Sequence, residues 1–187
     1  MDALALFDQA IELLPDGARA ENGVTVEDVR DYQHHTEWEL AFGVLEEIGD
    51  AYPLPPLFWD LLREVAVTWQ LVSERKWCEW RAWEARNGTI RADLLLLGAE
   101  EGGRRTAVPT GGVLRPMWDI GGREWQIAKL WVEYMPKLEP GESTSVRLAP
   151  IWPEHWRHLR VGDVIMMHEA VPAIGTAVII ELSPPTG

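Results

Sequence analysis

The side chains with the means to do chemistry are few in this sequence, and none stands in a catalytic pattern. His34 and His35 adjoin, His155 and His158 span one turn of Pro-Glu-His-Trp-Arg-His, and His168 stands alone. A metal site needs two or three convergent ligands, and no His-Glu-x-x-His arrangement supplies them. Pro153 and the flanking tryptophans place His155 and His158 on a loop rather than a helix face. Cys78 is the single cysteine, so an intrachain disulfide and a cysteine-based zinc cluster are both excluded. Set between Trp77 and Glu79, it reads as a small buried thiol, not a nucleophile. No Gly-x-Ser-x-Gly elbow occurs, and no Gly-x-x-x-x-Gly-Lys-Ser/Thr loop is present to cradle phosphate. The expectation is a non-enzymatic protein with no catalytic residues, no metal and no cofactor.

Charge carries more information. The chain of 187 residues has a net charge of −13, and it is unevenly spread. Residues 1–86 hold 18 acidic and 7 basic side chains, a net of −11, whereas residues 87–187 hold 12 and 10, a net of −2. An acidic half repels a phosphate backbone and attracts basic surfaces. Glu37, Glu39, Glu46, Glu47 and Asp50 form the candidate partner-binding face, with Glu46, Glu47 and Asp50 expected to face water. Arg104, Arg105 and Arg115 form the compact basic cluster, available to RNA or an interface, or else paired with Glu100 and Glu101. Eleven tryptophans are several times the usual share. Trp77, Trp80 and Trp83 share one helix side and are expected to pack on the second half, with Trp118, Trp125 and Trp131 as partners. The other reading makes them an exposed anchor for another protein.

Two kinds of element must position these groups. Up to Asn87 the apolar residues recur every three or four: Leu4, Phe7, Ile11 and Leu14; Trp38, Phe42, Leu45 and Ile48; Leu57, Leu61, Val65 and Trp69. Thr25 with Asp28, and Thr36 with Glu39, read as N-caps with capping boxes, and Pro56 suits a first helical turn. The last helix either runs through Trp77, Trp80 and Trp83 or breaks near Ser73. Beyond Gly88 short strand-like stretches take over, at 89–97, 128–135, 143–148, 164–168 and 173–182. Paired glycines and Pro-Gly steps punctuate them. The fold class is α+β: a helical bundle over residues 1–87, then an antiparallel barrel over 88–187. No apolar run approaches the roughly 18 residues that cross a bilayer, and the acidic start lacks a basic leader, so a cytoplasmic protein is expected.

Specific motifs sharpen this reading. Ile90-Arg91-Ala92-Asp93-Leu94-Leu95-Leu96-Leu97, then Glu100-Glu101-Gly102-Gly103-Arg104-Arg105-Thr106, resembles the opening of the C-terminal (third) domain of bacterial elongation factor Tu, where a strand leads into Glu-Gly-Gly-Arg-His-Thr. Gly111-Gly112-Val113-Leu114-Arg115-Pro116 is similar to that family's Gly-x-x-x-Arg-Pro step. Leu138-Glu139-Pro140-Gly141-Glu142 resembles its Met-Pro-Gly-Asp turn, and residues 165–179 its closing hairpin. The likeness covers residues 89–182 and implies a factor Tu-type β-barrel, a domain that in the family helps hold aminoacyl-tRNA. Two departures matter: the residues ahead of the barrel carry no phosphate-binding loop, so no GTPase is expected, and Ala170-Val171-Pro172-Ala173 stands where the family has Gly-Gly-Arg-Thr, losing a basic residue. Residues 25–72, through Val26-Glu27-Asp28-Val29-Arg30-Asp31-Tyr32, Thr36-Glu37-Trp38-Glu39-Leu40-Ala41 and Pro55-Pro56-Leu57-Phe58-Trp59-Asp60-Leu61-Leu62, resemble the helical Maf-type immunity proteins of bacterial toxin systems.

These resemblances, with the charge asymmetry, imply a bacterial immunity-type protein whose partner is a basic protein, a toxin acting on translation or tRNA. The alternative is an RNA-binding or translation-factor-mimicking accessory protein that uses the barrel.

Overall fold

In the computed structural model residues 2–187 are described. Five helices come first: α1 (Ala3–Ile11), α2 (Val26–His34), α3 (Trp38–Asp50), α4 (Pro56–Thr68) and α5 (Val72–Asn87). Eight strands follow: β1 (Thr89–Leu96), β2 (Val108–Pro109), β3 (Met117–Asp119), β4 (Gln126–Val132), β5 (Lys137–Leu138), β6 (Ser143–Pro150), β7 (Val164–His168) and β8 (Gly175–Ser183). The class is mixed α+β. The chain divides into a helical unit, residues 2–86 with Thr186 and Gly187, and a barrel unit, Asn87–Pro185. Thr186 returns to the helical unit, its N–H donating to the Ala85 carbonyl at 2.9 Å and its hydroxyl to that of Leu54 at 2.6 Å.

The helical unit buries one apolar face from each of its first four helices. Phe7, Phe42, Leu45, Ile48, Phe58, Trp59, Leu62 and Val65 are inaccessible to solvent or nearly so. Trp69 closes this core against Phe7 and Trp38, with both ring centroids 5.6 Å away. Asp2 caps α1, accepting from the Leu4 N–H at 3.2 Å. At α2 the Thr25 N–H and hydroxyl both donate to Asp28, at 2.8 and 2.9 Å. Those two bonds hold the Asp28 carboxyl below the usual carboxylate range.

One helix end differs from the sequence reading, and at another the structure decides between its two alternatives in favour of a break near Ser73. Thr36 does not cap α3: it sits at φ +61° as the left-handed residue that closes α2. The Glu37 N–H donates to Tyr32 O at 2.9 Å and the Thr36 N–H to Gln33 O at 3.1 Å, the paired bonds of a Schellman motif. The N-cap of α3 passes to Glu37, whose side chain makes no capping bond. Gln70, at φ +61°, closes α4 the same way, with the Leu71 N–H on Ala66 O at 2.8 Å. This turn ends the helix before Ser73, and α5 restarts at Val72.

Six strands close into an antiparallel barrel in the order β1-β6-β4-β3-β7-β8, while β2 and β5 pair as a separate ribbon. Side chains alternate about the pleat. Ala92, Leu94 and Leu96 of β1 point inward, with Ala128, Leu130 and Val132 of β4 and Ala177 and Ile179 of β8. Closure leaves no exposed sheet edge on the barrel. The segment between β6 and β7 contains a single 3-10 turn, Pro153–Trp156. It inserts Trp156 edge-on to Trp118, ring centroids 6.5 Å apart.

Candidate partner-binding surface

The acidic residues proposed for partner binding fall mainly on α3. Its buried stripe is Ala41, Phe42, Leu45, Ile48 and Gly49. With 3.6 residues per turn, Glu39, Glu46 and Asp50 recur along one flank of that stripe, while Glu47 falls on the other. Glu37, Glu39 and Glu47 are exposed, and Glu47 accepts from Asn22 Nδ2 at 2.9 Å.

Glu46 corrects the expectation that it faces water. Its Oε1 is buried and makes no hydrogen bond among the described residues. Burial, reinforced by Asp50, Glu74 and Glu47 and only partly offset by Arg81, pushes its carboxyl up to about 8. Asp50 is likewise turned to α5, accepting from the Trp77 indole at 3.2 Å and lying 3.0 Å from Arg81 Nε. That last approach is an ion pair without hydrogen-bond alignment, since Arg81 Nε is left unbonded. Glu46 is therefore turned into a seam with α5, whereas Glu37, Glu39, Glu47 and Asp50 stay exposed, Asp50 while engaged by Trp77 and Arg81.

Sequence spacing gave no sign of the polar cluster on α5. Arg81 stacks over Trp59, 4.8 Å from its ring centroid, and over Trp77 at 5.7 Å. Its Nη1 donates to Glu84 at 2.9 Å, and the Trp80 indole donates to the same carboxylate at 2.9 Å. Glu84 is only 2% exposed, so a helix face that reads as charged is buried through satisfied bonds. Trp77 and Trp80 thus hold acids of their own unit. Trp118 lies inside the barrel, and Trp125 stacks on His168 with ring centroids 4.0 Å apart.

Elsewhere in the helical unit four more arginines are paired internally. Arg30 pairs with Asp8 at 2.5 Å, Arg63 with Glu64 at 2.5 Å, Arg75 with Glu79 at 3.3 Å, and Arg86 with Asp60. Such exposed pairs add little stability, but they cancel positive charge locally. Glu12, Glu21, Glu27, Glu37, Glu39 and Glu47 are exposed and make no ion pair among the described residues. Arg19 and Lys76 are the exposed cations that make no ion pair among the described residues, so the outward field of the unit is predominantly negative.

The arginine cluster is partly spent. Arg104 pairs with Glu169, not with Glu100 or Glu101, and its Nε donates to Thr106 O at 3.1 Å. Burial lowers its guanidinium below the ordinary arginine value. Glu101 is turned to the Gly98 N–H at 3.0 Å. Arg105 and Arg115 are exposed. The histidines are held singly: His35 Nδ1 lies 2.9 Å from Asp31 O, His155 Nδ1 2.7 Å from Gln126 Oε1, and His158 Nε2 2.8 Å from Ile120 O. Among the described residues no group of three or more His, Cys, Asp or Glu side chains is arranged to hold a metal ion. No helix among them is long and apolar enough to cross a membrane.

One polar network on the barrel was also invisible in the sequence. Arg91 and Arg147 face each other across β1 and β6. Glu133, 6% exposed, lies between them, accepting from Arg91 Nε at 3.0 Å and from Arg147 Nε at 2.7 Å. Arg91 continues to Glu181 at 2.9 Å and to the Tyr134 hydroxyl at 3.1 Å. No protein-family model matches the chain, and no curated protein matches it.

Proposed function

We propose that this is a non-enzymatic binding protein of the immunity type, whose acidic helical unit docks on a basic protein partner, a toxin acting on translation or tRNA. The observation that carries the reading is the internal pairing of Arg30, Arg63, Arg75, Arg81 and Arg86, which leaves Glu37, Glu39 and Glu47 with their neighbours as an unneutralised surface. Such a field speeds encounter with a basic protein and repels nucleic acid. A closed six-stranded antiparallel barrel, with the turn motifs described above, supports kinship of the second unit to the third domain of elongation factor Tu.

Affinity capture from the source bacterium, wild type against a Glu37→Lys, Glu39→Lys, Glu47→Lys variant, tests this. The wild type is expected to retain a basic toxin or translation component, released by salt and lost in the variant. Recovery of no basic protein, or equal recovery by both, refutes the reading. The RNA reading is supported by the exposure of Arg105 and Arg115 and weakened by the pairing of Arg104 with Glu169. Salt-dependent tRNA retention abolished by alanine at Arg105 and Arg115 would favour it instead.

A further inference from the structure

The seam between α3 and α5 holds more negative charge than it can neutralise. Asp50 accompanies Glu46 on this flank of α3, with Glu47 adding its charge from the other flank, and Glu74, Cys78 and Arg81 face Glu46 from α5. Arg81, the cation of this seam, is committed to Asp50 at 3.0 Å and to Glu84 at 2.9 Å. Glu46 Oε1 is sealed from water and accepts no hydrogen bond among the described residues. A carboxylate in that position would be a buried anion beside other acids, whereas a neutral carboxylic acid needs no counter-ion. Cys78, one turn from Glu74, is fully buried on the same helix.

We propose that the α3–α5 seam is a proton-gated latch, closed while the Glu46 carboxyl is neutral and loosened when it ionises. The inference concerns closure of the helical unit itself and holds whether or not the partner reading does. Burial, then Asp50, Glu74 and Glu47, drives the Glu46 carboxyl from its ordinary 4.5 to about 8. The closed seam therefore holds a proton that the open seam gives up. A raised carboxyl contributes fully to closure below about 4.5, and that contribution drains away as pH climbs to about 8, beyond which nothing further is lost. Neutral pH lies within the responsive range.

Cys78 reports the latch, because its buried thiol reacts only when the seam opens. The full chain is labelled with 4,4′-dithiodipyridine between pH 5.5 and 8.5, wild type beside Glu46→Gln. The ratio of the two rates cancels the ionisation of the thiol itself. That ratio is expected to rise at least about tenfold between pH 5.5 and 7.5, against an ideal limit of roughly tenfold per pH unit, and to level off above about 8. A ratio that stays flat overturns the proposal. Should Glu46→Gln fail to fold, carbon-detected NMR of the Glu46 carboxyl in the wild type decides: a midpoint near 8 supports the latch, and one in the ordinary carboxylate range overturns it.

Discussion

Replacing Glu133 by alanine removes the one carboxylate set between two opposed guanidinium groups, and its consequence can be worked out from the geometry. Arg91 and Arg147 are direct cross-strand neighbours on β1 and β6. Like charges so placed repel, and Glu133 reverses that by accepting from both, at 3.0 and 2.7 Å. Breaking a buried ion pair by deleting one partner costs roughly 3–5 kcal/mol. The arginine side chains keep 21% and 14% of their exposure, and Arg91 retains Glu181. These two features reduce the expected loss to about 2–3 kcal/mol. For a unit of roughly 100 residues that corresponds to a fall of about 10–20 °C in melting temperature. Differential scanning calorimetry of the full chain reads the fall, and amide hydrogen exchange locates it, with faster exchange in β1 and β6 and unchanged exchange in α1–α4. Replacing Arg91, Glu133 and Arg147 together by apolar residues of similar volume should restore much of the loss, because the acid that then loses its partner, Glu181, is 42% exposed. A shift below about 2 °C, or faster exchange confined to the helices, would refute the assignment of Glu133 as the counter-ion that holds β1 and β6 together.

Other outcomes follow from backbone geometry. Thr36 and Gln70 occupy left-handed positions at φ +61°, so Thr36→Gly and Gln70→Gly should each stabilise the helical unit by about 1 kcal/mol, more at the β-branched Thr36, measured by urea unfolding. The two glycines of the Glu-Gly-Gly-Arg turn should respond unequally. Gly102 needs its φ of +87° but has open space around it, whereas a Cβ on Gly103 would collide with the backbone of Leu97. Gly102→Ala is expected to cost about 1 kcal/mol, and Gly103→Ala several times more, read as the difference between their thermal unfolding midpoints. Trp156→Ala should cost roughly 3–5 kcal/mol by emptying the space beside Trp118, with the loss localised by exchange to the barrel strands.

The coarse architecture was legible because each half repeats a strong period. Leu4, Phe7 and Ile11, or Trp38, Phe42, Leu45 and Ile48, mark helix faces that bury as their spacing requires. Ala92, Leu94 and Leu96 alternate with Arg91, Asp93 and Leu95 as a barrel strand must. The strands missed are those too short to show a period: β3 has three residues, β2 and β5 two each. They are fixed by closure of the barrel and by pairing with β4, β7 and one another. Thr36 was misread for a related reason. A threonine between two helical patterns satisfies the chemistry of an N-cap, and only the tertiary position of the chain decides that it closes α2 instead.

Polar groups were the least legible, because their environment depends on which neighbour arrives. Glu46 and Glu47 are adjacent in sequence, yet one turns to Asn22 and the solvent while the other is enclosed against α5. Glu84 looks like a solvated helical acid until Arg81 and Trp80 bury it. Glu133 looks like a strand-end charge until Arg91 and Arg147 meet across it. Each of the three is isolated in sequence from at least one group that sets its chemistry: Glu46 from Glu74 and Arg81, Glu84 from the Asp50 that shares Arg81, Glu133 from Arg91. The charge asymmetry was readable by counting, but the surface it produces was not, since that depends on which arginines are already taken. On the proposed function, Glu37, Glu39 and Glu47 would meet a partner without neutralising neighbours, because Arg30, Arg63, Arg75, Arg81 and Arg86 are bound to other carboxylates within the same unit.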